Sequence, residues 1–300
     1  MKPTANGAAR RSPRVNRSIL SIRDLAEADF DAADGILKVA FGFPESSKPD
    51  LRRYVALQPD GWFLATRAGF PIGMVGAVDY GRFAYIGLMA VHPAEQSRGV
   101  GRALMQYLLA WLDARGTPIA LLDATDAGRS LYASLGFVEE DQACIYTLQE
   151  PYSAAAGVPP LARPLQPRDV PAIVDLDAHI FGAERGAVLR GFIADYPGRF
   201  FVAHDGKGRL SGYLCAQSRR LGPWATPRRE DAEKLLQAAL TLPFTAGVNV
   251  LVPQVNRAAS ELLEGFGFSM VRAIQHMRRG GTHCPGQREL LYGQASFAIG

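Results

Sequence analysis

The chain has 300 residues, of which 48% are hydrophobic and 21% are charged, and its formal net charge is +4 at pH 7. Such a composition is typical of a soluble protein of about two domains, and no segment approaches the roughly 18 consecutive apolar residues of a membrane span. The three cysteines lack the close spacing of a metal-binding pair, and the first residues lack a signal peptide's apolar core. We therefore expect a cytoplasmic protein with reduced thiols, no membrane partner and no metal ion.

The chain begins with a basic segment, residues 1–18, which holds five lysine and arginine residues and no acidic residue. The remaining residues therefore sum to a net charge of −1. Because the segment is rich in Pro, Asn, Ser and Ala and has no apolar pattern, we predict a disordered tail. Its charges are dispersed and no aromatic residue lies among them, which argues against a nucleic-acid partner.

Alternating helix and strand patterns follow the tail as far as residue 148. Apolar residues at spacings of three and four (Leu104, Leu108, Trp111 and Leu112) predict a helix, and continuous apolar runs predict strands. In chain order the predicted elements are a helix at about 26–41, strands near 62–67, 71–79 and 83–91, a helix at 100–114, a strand at 118–123, a helix at 127–135 and a strand at 141–148.

A loop with two glycines joins the strand at 83–91 to the helix at 100–114, after a turn at His92 and Pro93. Residues 96–104 read Gln-Ser-Arg-Gly-Val-Gly-Arg-Ala-Leu. A dinucleotide fingerprint would need a third glycine in place of the final leucine, and a Walker loop would need Gly-Lys-Ser/Thr. Glycines at a helix start let free main-chain N–H groups approach an anion at the positive end of the helix dipole. The alternative is a tight turn in which the glycines serve geometry only.

The pattern Gln-x-x-Gly-x-Gly in this loop, preceded by Met-Ala-Val-His-Pro at 89–93, resembles the acetyl-CoA pyrophosphate loop of the GNAT acyltransferase superfamily. The order of strand, turn, loop and helix strengthens the resemblance. Downstream, Tyr132 stands four residues before Gly136 and Phe137, the place of a tyrosine that lies near the thioester sulfur in GNAT enzymes. The resemblance therefore implies acetyl-CoA as the co-substrate.

The resemblance also implies roles for individual residues. Tyr132 would be the catalytic residue, because amine attack on a thioester expels a thiolate that a phenol can protonate; the alternative is a tyrosine that only packs on the sheet. The main chain at Met89 and Val91 would pair with the pantetheine arm, and an N–H near Met89 would polarise the thioester carbonyl. Main-chain amides from Arg98 to Ala103 would hold the pyrophosphate, with arginine side chains adding charge unless they are only solvated surface groups. The implied acetyl-CoA-binding residues are Met89, Val91, Gln96, Arg98, Gly99, Val100, Gly101, Arg102 and Ala103.

The general base is left open. Asp79, His92, Asp123 and Asp126 are polar residues near strand ends on the expected acetyl-CoA side. Each is explained more simply as a turn, cap or loop residue. Proton removal through ordered water would need no dedicated side chain.

The chain repeats itself at an offset of roughly 130 to 140 residues. The motif Arg-x-Leu-x-x-x-Asp at 23–29 recurs at 163–169, and the segment 131–137 resembles 262–268. We therefore predict an α/β (α+β) protein of two tandem GNAT-like domains, each with a mixed, mostly antiparallel sheet and a central parallel pair flanked by helices. The predicted divisions are the tail at 1–18, an N-terminal domain at 19–149, a linker rich in Pro and Ala at 150–162 and a degenerate C-terminal domain at 163–300.

The second copy has lost the features of the loop. Its counterpart, residues 227–235, is three residues shorter, has no glycine and carries Glu230, Asp231 and Glu233. Carboxylates at a helix start cap that helix themselves and repel a pyrophosphate. Leu263 stands at the place of the tyrosine. We therefore expect acetyl-CoA to bind the first domain alone, as in a bacterial class of tandem GNAT proteins that this arrangement resembles.

These features predict an acetyl-CoA-dependent N-acetyltransferase, an acyltransferase that acts on a small-molecule amine. The alternative is a non-catalytic acyl-CoA-binding sensor or scaffold module, since no general base is evident. The second domain either forms one wall of the acceptor pocket, with Trp224, Arg219, Arg220 and Tyr213 as candidates, or serves stability alone. A homodimer and the identity of the acceptor are left open.

Overall fold

The computed structural model describes residues 19–149, 162–244 and 247–300. The predicted tail at 1–18 and nearly all of the predicted linker lie outside the described residues. Two elements of the first half were not predicted, the strand β1 and the helix α2, and a short 3₁₀ turn at Glu27–Asp29 separates β1 from α1. The elements of the first half are β1 (Leu20–Asp24), α1 (Phe30–Phe41), α2 (Lys48–Leu57), β2 (Trp62–Arg67), β3 (Phe70–Asp79), β4 (Ala84–Val91), α3 (Val100–Arg115), β5 (Ala120–Ala124), α4 (Asp126–Ser134) and β6 (Val138–Leu148).

The second half repeats this order of strands and helices and adds one strand at its end. Its elements are β7 (Arg163–Pro164), α5 (Val170–Phe181), α6 (Gly186–Asp195), β8 (Phe200–His204), β9 (Leu210–Ala216), β10 (Arg220–Ala225), α7 (Arg229–Leu240), β11 (Val248–Pro253), α8 (Arg257–Gly265), β12 (Ser269–Arg279) and β13 (Leu291–Gly293).

An ion pair at the start of each half preserves the duplication in three dimensions. The Arg23 guanidinium donates to both carboxylate oxygens of Asp29 at 2.6 and 2.7 Å. The Arg163 guanidinium binds Asp169 in the same two-pronged way at 2.7 and 2.9 Å. In each half the aspartate also accepts the main-chain N–H three residues before it and so fixes the entry to the first helix. The repeated motif therefore makes the same contacts before the first helix of each half.

The strands of the described chain form one sheet, in the order β1-β2-β3-β4-β5-β12-β6-β11-β10-β9-β8-β7, with β13 attached to β10. Two neighbouring pairs, β4 with β5 and β10 with β11, are parallel, and the other neighbouring pairs are antiparallel. This arrangement confirms the predicted fold class, a mixed and mostly antiparallel sheet with a central parallel pair in each half.

The two halves exchange their last long strands, which the sequence analysis did not predict. Strand β12 of the second half lies between β5 and β6 and pairs with β5 from Gln275↔Ala124 to Arg279↔Ala120. Strand β6 of the first half lies beside β11, from Val248↔Leu148 to Pro253↔Ala143. Each half therefore completes the sheet of the other, and side chains of β12 lie next to the parallel pair of the first half.

Helices cover both faces of the sheet. On one face α1, α2, α5 and α6 share a single core, which includes Leu37, Leu51, Leu189 and Phe192. On the other face α3 packs over the first half and α7 with α8 over the second, in separate cores. None of the helices within the described ranges combines the length and the apolar character that crossing a bilayer requires.

Candidate active site

The parallel strands β4 and β5 separate soon after they meet. Their pairing runs only from Ala84↔Ala120 to Ile86↔Leu122. Beyond that point a groove of about 890 Å³ lies between the end of β4, the loop that follows it and the start of α4. The separation creates a cleft at the carboxyl ends of two strands and the amino end of α3.

A β-bulge shapes the β4 wall of the groove. The register with β3 changes from Met74↔Ala90 to Gly76↔Gly87, so that Leu88 and Met89 together oppose one residue of β3. Leu88 has a φ of 52°, which is uncommon for a residue other than glycine. A bulge takes main-chain N–H groups out of the ladder and re-aims them, and backbone strain of this kind concentrates at functional sites. The bulge lies where the resemblance implied a main-chain donor, near Met89.

The loop before α3 leaves main-chain amides unpaired at the start of the helix. Gly99 precedes the helix with a φ of 82°, and the first turn of α3 holds no acidic residue. Among the described residues the N–H groups of Val100, Gly101 and Arg102 have no main-chain acceptor, as expected for the first turn of a helix. The Ala103 N–H, in contrast, donates to the Gly99 carbonyl at 3.0 Å. Three amides are therefore free for an anion such as a pyrophosphate.

Gly101 lies against the wall of the groove. A Cβ atom at this position would fall 2.9 Å from Met89 Cε, the flexible end of that side chain, and at an ordinary contact distance of 3.4 Å from Leu131 Cδ2. A side chain here would therefore displace the end of Met89. The absent side chain therefore lets the start of α3 approach the end of β4.

Six of the nine predicted acetyl-CoA-binding residues line the groove: Met89, Val91, Gln96, Gly99, Gly101 and Arg102. Gln96 also donates from Nε2 to the Val91 carbonyl at 3.1 Å, and Arg102 donates to Ser134 Oγ at 2.9 Å. Arg98 lies outside the lining, where it faces Glu95, and Val100 is buried in the α3 core. The groove also includes residues that the sequence analysis did not select, among them Phe41, Ser97, Thr125, Gly128, Leu131 and Arg272.

Tyr132 lies at the inner end of the groove. It is buried beside Phe137, and its hydroxyl has no hydrogen-bond partner among the described residues. Burial raises the pKa of Tyr132 to about 12. The phenol therefore stays protonated throughout the physiological pH range and can donate a proton or a hydrogen bond into the groove.

A second, smaller pocket of about 260 Å³ adjoins the groove where β4 and β5 diverge. Phe41, Met89, Thr125, Tyr132 and Arg272 line both cavities. Two of the elements that form this pocket, β12 and the segment after β13, belong to the second half. The two cavities meet at Tyr132, so a ligand in one can reach a ligand in the other.

The four candidate bases occupy different places. Asp126 lines the groove, whereas His92 is an exposed turn residue whose Nδ1 accepts the Ala94 N–H at 3.3 Å. Asp79 lies at the opposite end of β4, next to Ala84, and accepts hydrogen bonds from Arg115 and Thr117. The expectation that Asp79 stands on the acetyl-CoA side was therefore wrong, because β3 and β4 are antiparallel and their shared turn is remote from the loop.

Asp123 lines the smaller pocket, but its carboxylate is fully buried and belongs to a hydrogen-bond network. It accepts a bond from the Tyr85 hydroxyl at 2.6 Å and faces His276 Nδ1 at 2.8 Å. Burial alone would raise the pKa of Asp123, but its bond to His276, with the Arg288 charge, holds that pKa below its usual value. Burial, with the same Arg288 charge, lowers the pKa of His276. The pair is thus an ionised aspartate with a neutral histidine.

In the second half, a strand of the chain itself fills the gap that corresponds to the groove. Strands β10 and β11 pair in parallel only at Arg220↔Asn249 and Leu221↔Val250. Beyond that point β13 pairs with β10, at Trp224↔Gly293. The Gln294 N–H then donates to Leu251 O of β11 at 2.9 Å. β13 thus occupies the place that is open in the first half.

The start of α7 differs from that of α3. The side chain of Asp231 is fully buried there, accepts a bond from Ser211 Oγ at 2.6 Å and pairs with Lys234 at 2.8 Å. A buried carboxylate in the first turn of a helix disfavours an external anion at that place. Four residues of the second half were candidates for a wall of the acceptor pocket. Trp224 and Tyr213 are buried within that half, Arg219 pairs with Glu45, and Arg220 bonds Asn249. None of the four lines either cavity.

Comparison with known proteins agrees with the geometry. The model of the acetyltransferase (GNAT) family matches residues 20–137, and that of a second acetyltransferase (GNAT) domain matches residues 173–293. No curated protein sequence matches the chain. A crystal structure from Pyrococcus horikoshii, assigned provisionally as an acetyltransferase, has 27% identity and a TM-score of 0.82 over 98% of this chain and 100% of that one.

Two further solved structures share the fold at lower identity. A GCN5-related N-acetyltransferase from Sphaerobacter thermophilus has 17% identity and a TM-score of 0.67, over 88% of this chain and 97% of that one. A tandem GNAT protein from the clavulanic acid biosynthesis pathway has 17% identity and a TM-score of 0.61, over 88% of this chain and 99% of that one. These structures support the tandem arrangement of the two domains.

Proposed function

The chain belongs to the acetyltransferase (GNAT) family, with two of its domains in tandem, and from this membership we propose that it is an N-acetyltransferase that moves an acetyl group from acetyl-CoA to the amine of a small molecule. The reaction takes place in the first half, at residues of the predicted domain 19–149. We place the protein in the cytoplasm, where its three free cysteines would stay reduced.

The observation that carries this proposal is the difference between two equivalent clefts. In the first half, the gap between β4 and β5 is open and ends at three unpaired amides of α3. In the second half, β13 fills the gap and the first turn of α7 carries the buried Asp231 carboxylate. A chain that occupies one such cleft with its own groups and leaves the other open supports one binding site for a long anionic ligand such as acetyl-CoA.

The residues at the junction of the two cavities fit acyl transfer. The amine nitrogen attacks the thioester carbonyl carbon, so that a C–N bond forms and the C–S bond breaks. The main chain at the Leu88 bulge would stabilise the negative charge that develops on the carbonyl oxygen. Tyr132 would give its proton to the departing thiolate and regain one from water, and the nitrogen would lose one proton to water, so that atoms and charge balance.

The proton from the nitrogen leaves by the open groove in this proposal. Asp126 is the one candidate of the four that lines the groove among the described residues, and it is exposed to solvent. Water held between the amine and this edge would carry the proton out. A buried base is therefore not required for the reaction, although the amine must arrive in its neutral form.

A free-thiol release assay tests the function. Acetyl-CoA would be incubated with the protein and a panel of amines, amino acids and aminoglycosides, with acetyl-CoA alone as the blank. We expect thiol release that depends on both acceptor and protein. Saturable acetyl-CoA binding without release for any acceptor would contradict the enzyme and favour an acyl-CoA-binding sensor or scaffold.

A further inference from the structure

The pocket beside Tyr132 is apolar and small. Its 260 Å³ lie below the range of about 300 to 1,000 Å³ that is usual for drug-sized ligands. Aromatic and branched aliphatic side chains supply most of its wall. Two of these, Phe41 and Phe43, are partly exposed, and the centroids of their rings lie 5.2 Å apart. The apolar side chains that matter here are Phe41, Phe43, Leu122, Ile145, Ile274 and Phe297.

Asp123 is one of the residues that line this pocket, but its carboxylate is not exposed to it. The Asp123 side chain has no exposed surface, and both of its oxygens are bonded, to Tyr85 and to His276. Only the main chain of Asp123 can therefore contribute to the wall. The part of a ligand that enters this pocket therefore contacts hydrocarbon. A polar group of the ligand would be buried there without a partner, which is costly.

Arg272 is a free cation at the junction of the pocket and the groove. It lines both cavities, it is exposed, and its side chain has no ion pair or hydrogen bond among the described residues. A bulge in β12 places it there, since the register with β6 shifts between Met270 and Arg272. The other arginine of the groove, Arg102, is already bonded to Ser134. A guanidinium without a partner at a ligand junction matches a carboxylate or a phosphate.

In the function proposed above, the pyrophosphate of acetyl-CoA is held at the amides of α3. The arm between its pyrophosphate and its thioester carries no charge, so a cation beside Tyr132 meets no phosphate along that arm. An anion for Arg272 would then come from the acceptor.

We propose that the acceptor is a small α-amino acid with an aromatic or branched aliphatic side chain. The side chain enters the pocket, the carboxylate pairs with Arg272, and the amine faces the thioester near Tyr132. This proposal rests on the N-acetyltransferase function given above. It also gives the second half a role, because Arg272, Ile274 and Phe297 all come from residues beyond the duplication boundary.

Paired acceptors test the proposal. Thiol release from acetyl-CoA would be measured with L-phenylalanine and L-leucine, with 2-phenylethylamine and isopentylamine as the same bodies without a carboxylate, and with L-serine, L-lysine and an aminoglycoside. We expect kcat/KM for each apolar amino acid to exceed that of its decarboxylated partner by roughly 10- to 100-fold, the effect of one charge-assisted hydrogen-bonded pair. Transfer to the aminoglycoside or to lysine side chains, but not to apolar amino acids, would overturn the proposal and leave the N-acetyltransferase function intact.

A variant pair on one strand assigns the effect to Arg272. In Arg272→Gln we expect KM for L-phenylalanine to rise roughly 10- to 100-fold, with no change in KM for 2-phenylethylamine or for acetyl-CoA. Arg279→Gln is the control, since Arg279 lies at the far end of β12 opposite Asp113. An equal loss with both acceptors, or a raised KM for acetyl-CoA, would overturn the assignment. No transfer to any amine would instead overturn the function on which it rests.

Discussion

Tyr132 combines a raised pKa with a hydroxyl that no described residue engages. We predict that Tyr132→Phe lowers the rate of acetyl transfer by about 10²- to 10⁴-fold, the range for loss of a general acid, with little change in acetyl-CoA affinity. The raised pKa, about 12, means that the phenol keeps its proton as pH rises, so the ratio of the two rates should stay constant from pH 7 to 10. A tyrosine with an ordinary pKa of about 10 would lose half of its acid form at the top of this range.

Single-turnover transfer at saturating acetyl-CoA measures this ratio. Tyr107→Phe is the matched control, because Tyr107 is an exposed tyrosine on α3 that does not line the groove. A Tyr132→Phe variant with the wild-type rate would reduce Tyr132 to a packing residue.

The sequence singled out Tyr132 and six of the nine acetyl-CoA candidates that line the groove, because these residues are close together along the chain. The loop at 96–104 and Tyr132 could be recognised from local patterns alone. Leu88 and Arg272 could not, because the strained bulge of β4 and the bulge of β12 depend on strand register. Asp79 was predicted at the wrong edge of the sheet for a related reason. The local sequence around a strand end does not show at which edge of the sheet that end lies.

At the scale of elements, the exchanged strand β12 brings a buried histidine against the end of β5. His276 Nδ1 lies 2.8 Å from the Asp123 carboxylate, and Arg288 binds Asp141 at 3.1 Å beside them. Burial lowers the pKa of His276 in the folded state, so below pH 6.5 the unfolded chain binds a proton that the folded chain does not. Stability is therefore lost as pH falls through this window, with a slope of at most about 1.4 kcal/mol per pH unit for one proton.

We predict that His276→Asn flattens this part of the stability curve. The variant should be less stable at pH 7.5, because it loses packing, but its free energy of unfolding should change less between pH 7.5 and 5. In the wild type the low pKa of Asp123 keeps that carboxylate ionised over the same range and adds no slope. Urea unfolding at several pH values measures both curves. Parallel curves for the variant and the wild type would show that His276 does not titrate in this window.

The elements with strong periodicity were predicted within a few residues, among them β2, β3, β4 and α3. The strand β1 has only five residues and a half-exposed pattern, and α2 has a low mean hydropathy, so neither carries a strong local signal. The exchange of β6 and β12 is invisible in sequence because both orders of pairing satisfy the same apolar pattern. Only the register of distant segments distinguishes them.

For the whole molecule, duplication has produced one continuous sheet with two unequal clefts. The repeated ion pairs Arg23–Asp29 and Arg163–Asp169 show that the framework of both copies is retained. The clefts of the two copies have diverged. In the second copy β13 fills the gap between the strands, and the first turn of α7 carries the buried Asp231 carboxylate. The second half supplies walls to the site of the first, through β12 and the segment after β13.

Calorimetric titration with acetyl-CoA measures whether each chain has one site, at the start of α3. Gly101→Glu would set a side chain against Met89 and Leu131 and add a negative charge beside the free amides, so it should abolish binding. Glu230→Ala, at the exposed start of α7, should leave affinity and stoichiometry unchanged. We expect one equivalent bound by the wild-type chain and none by Gly101→Glu. Two equivalents per chain, or wild-type binding by Gly101→Glu, would contradict a single site at α3.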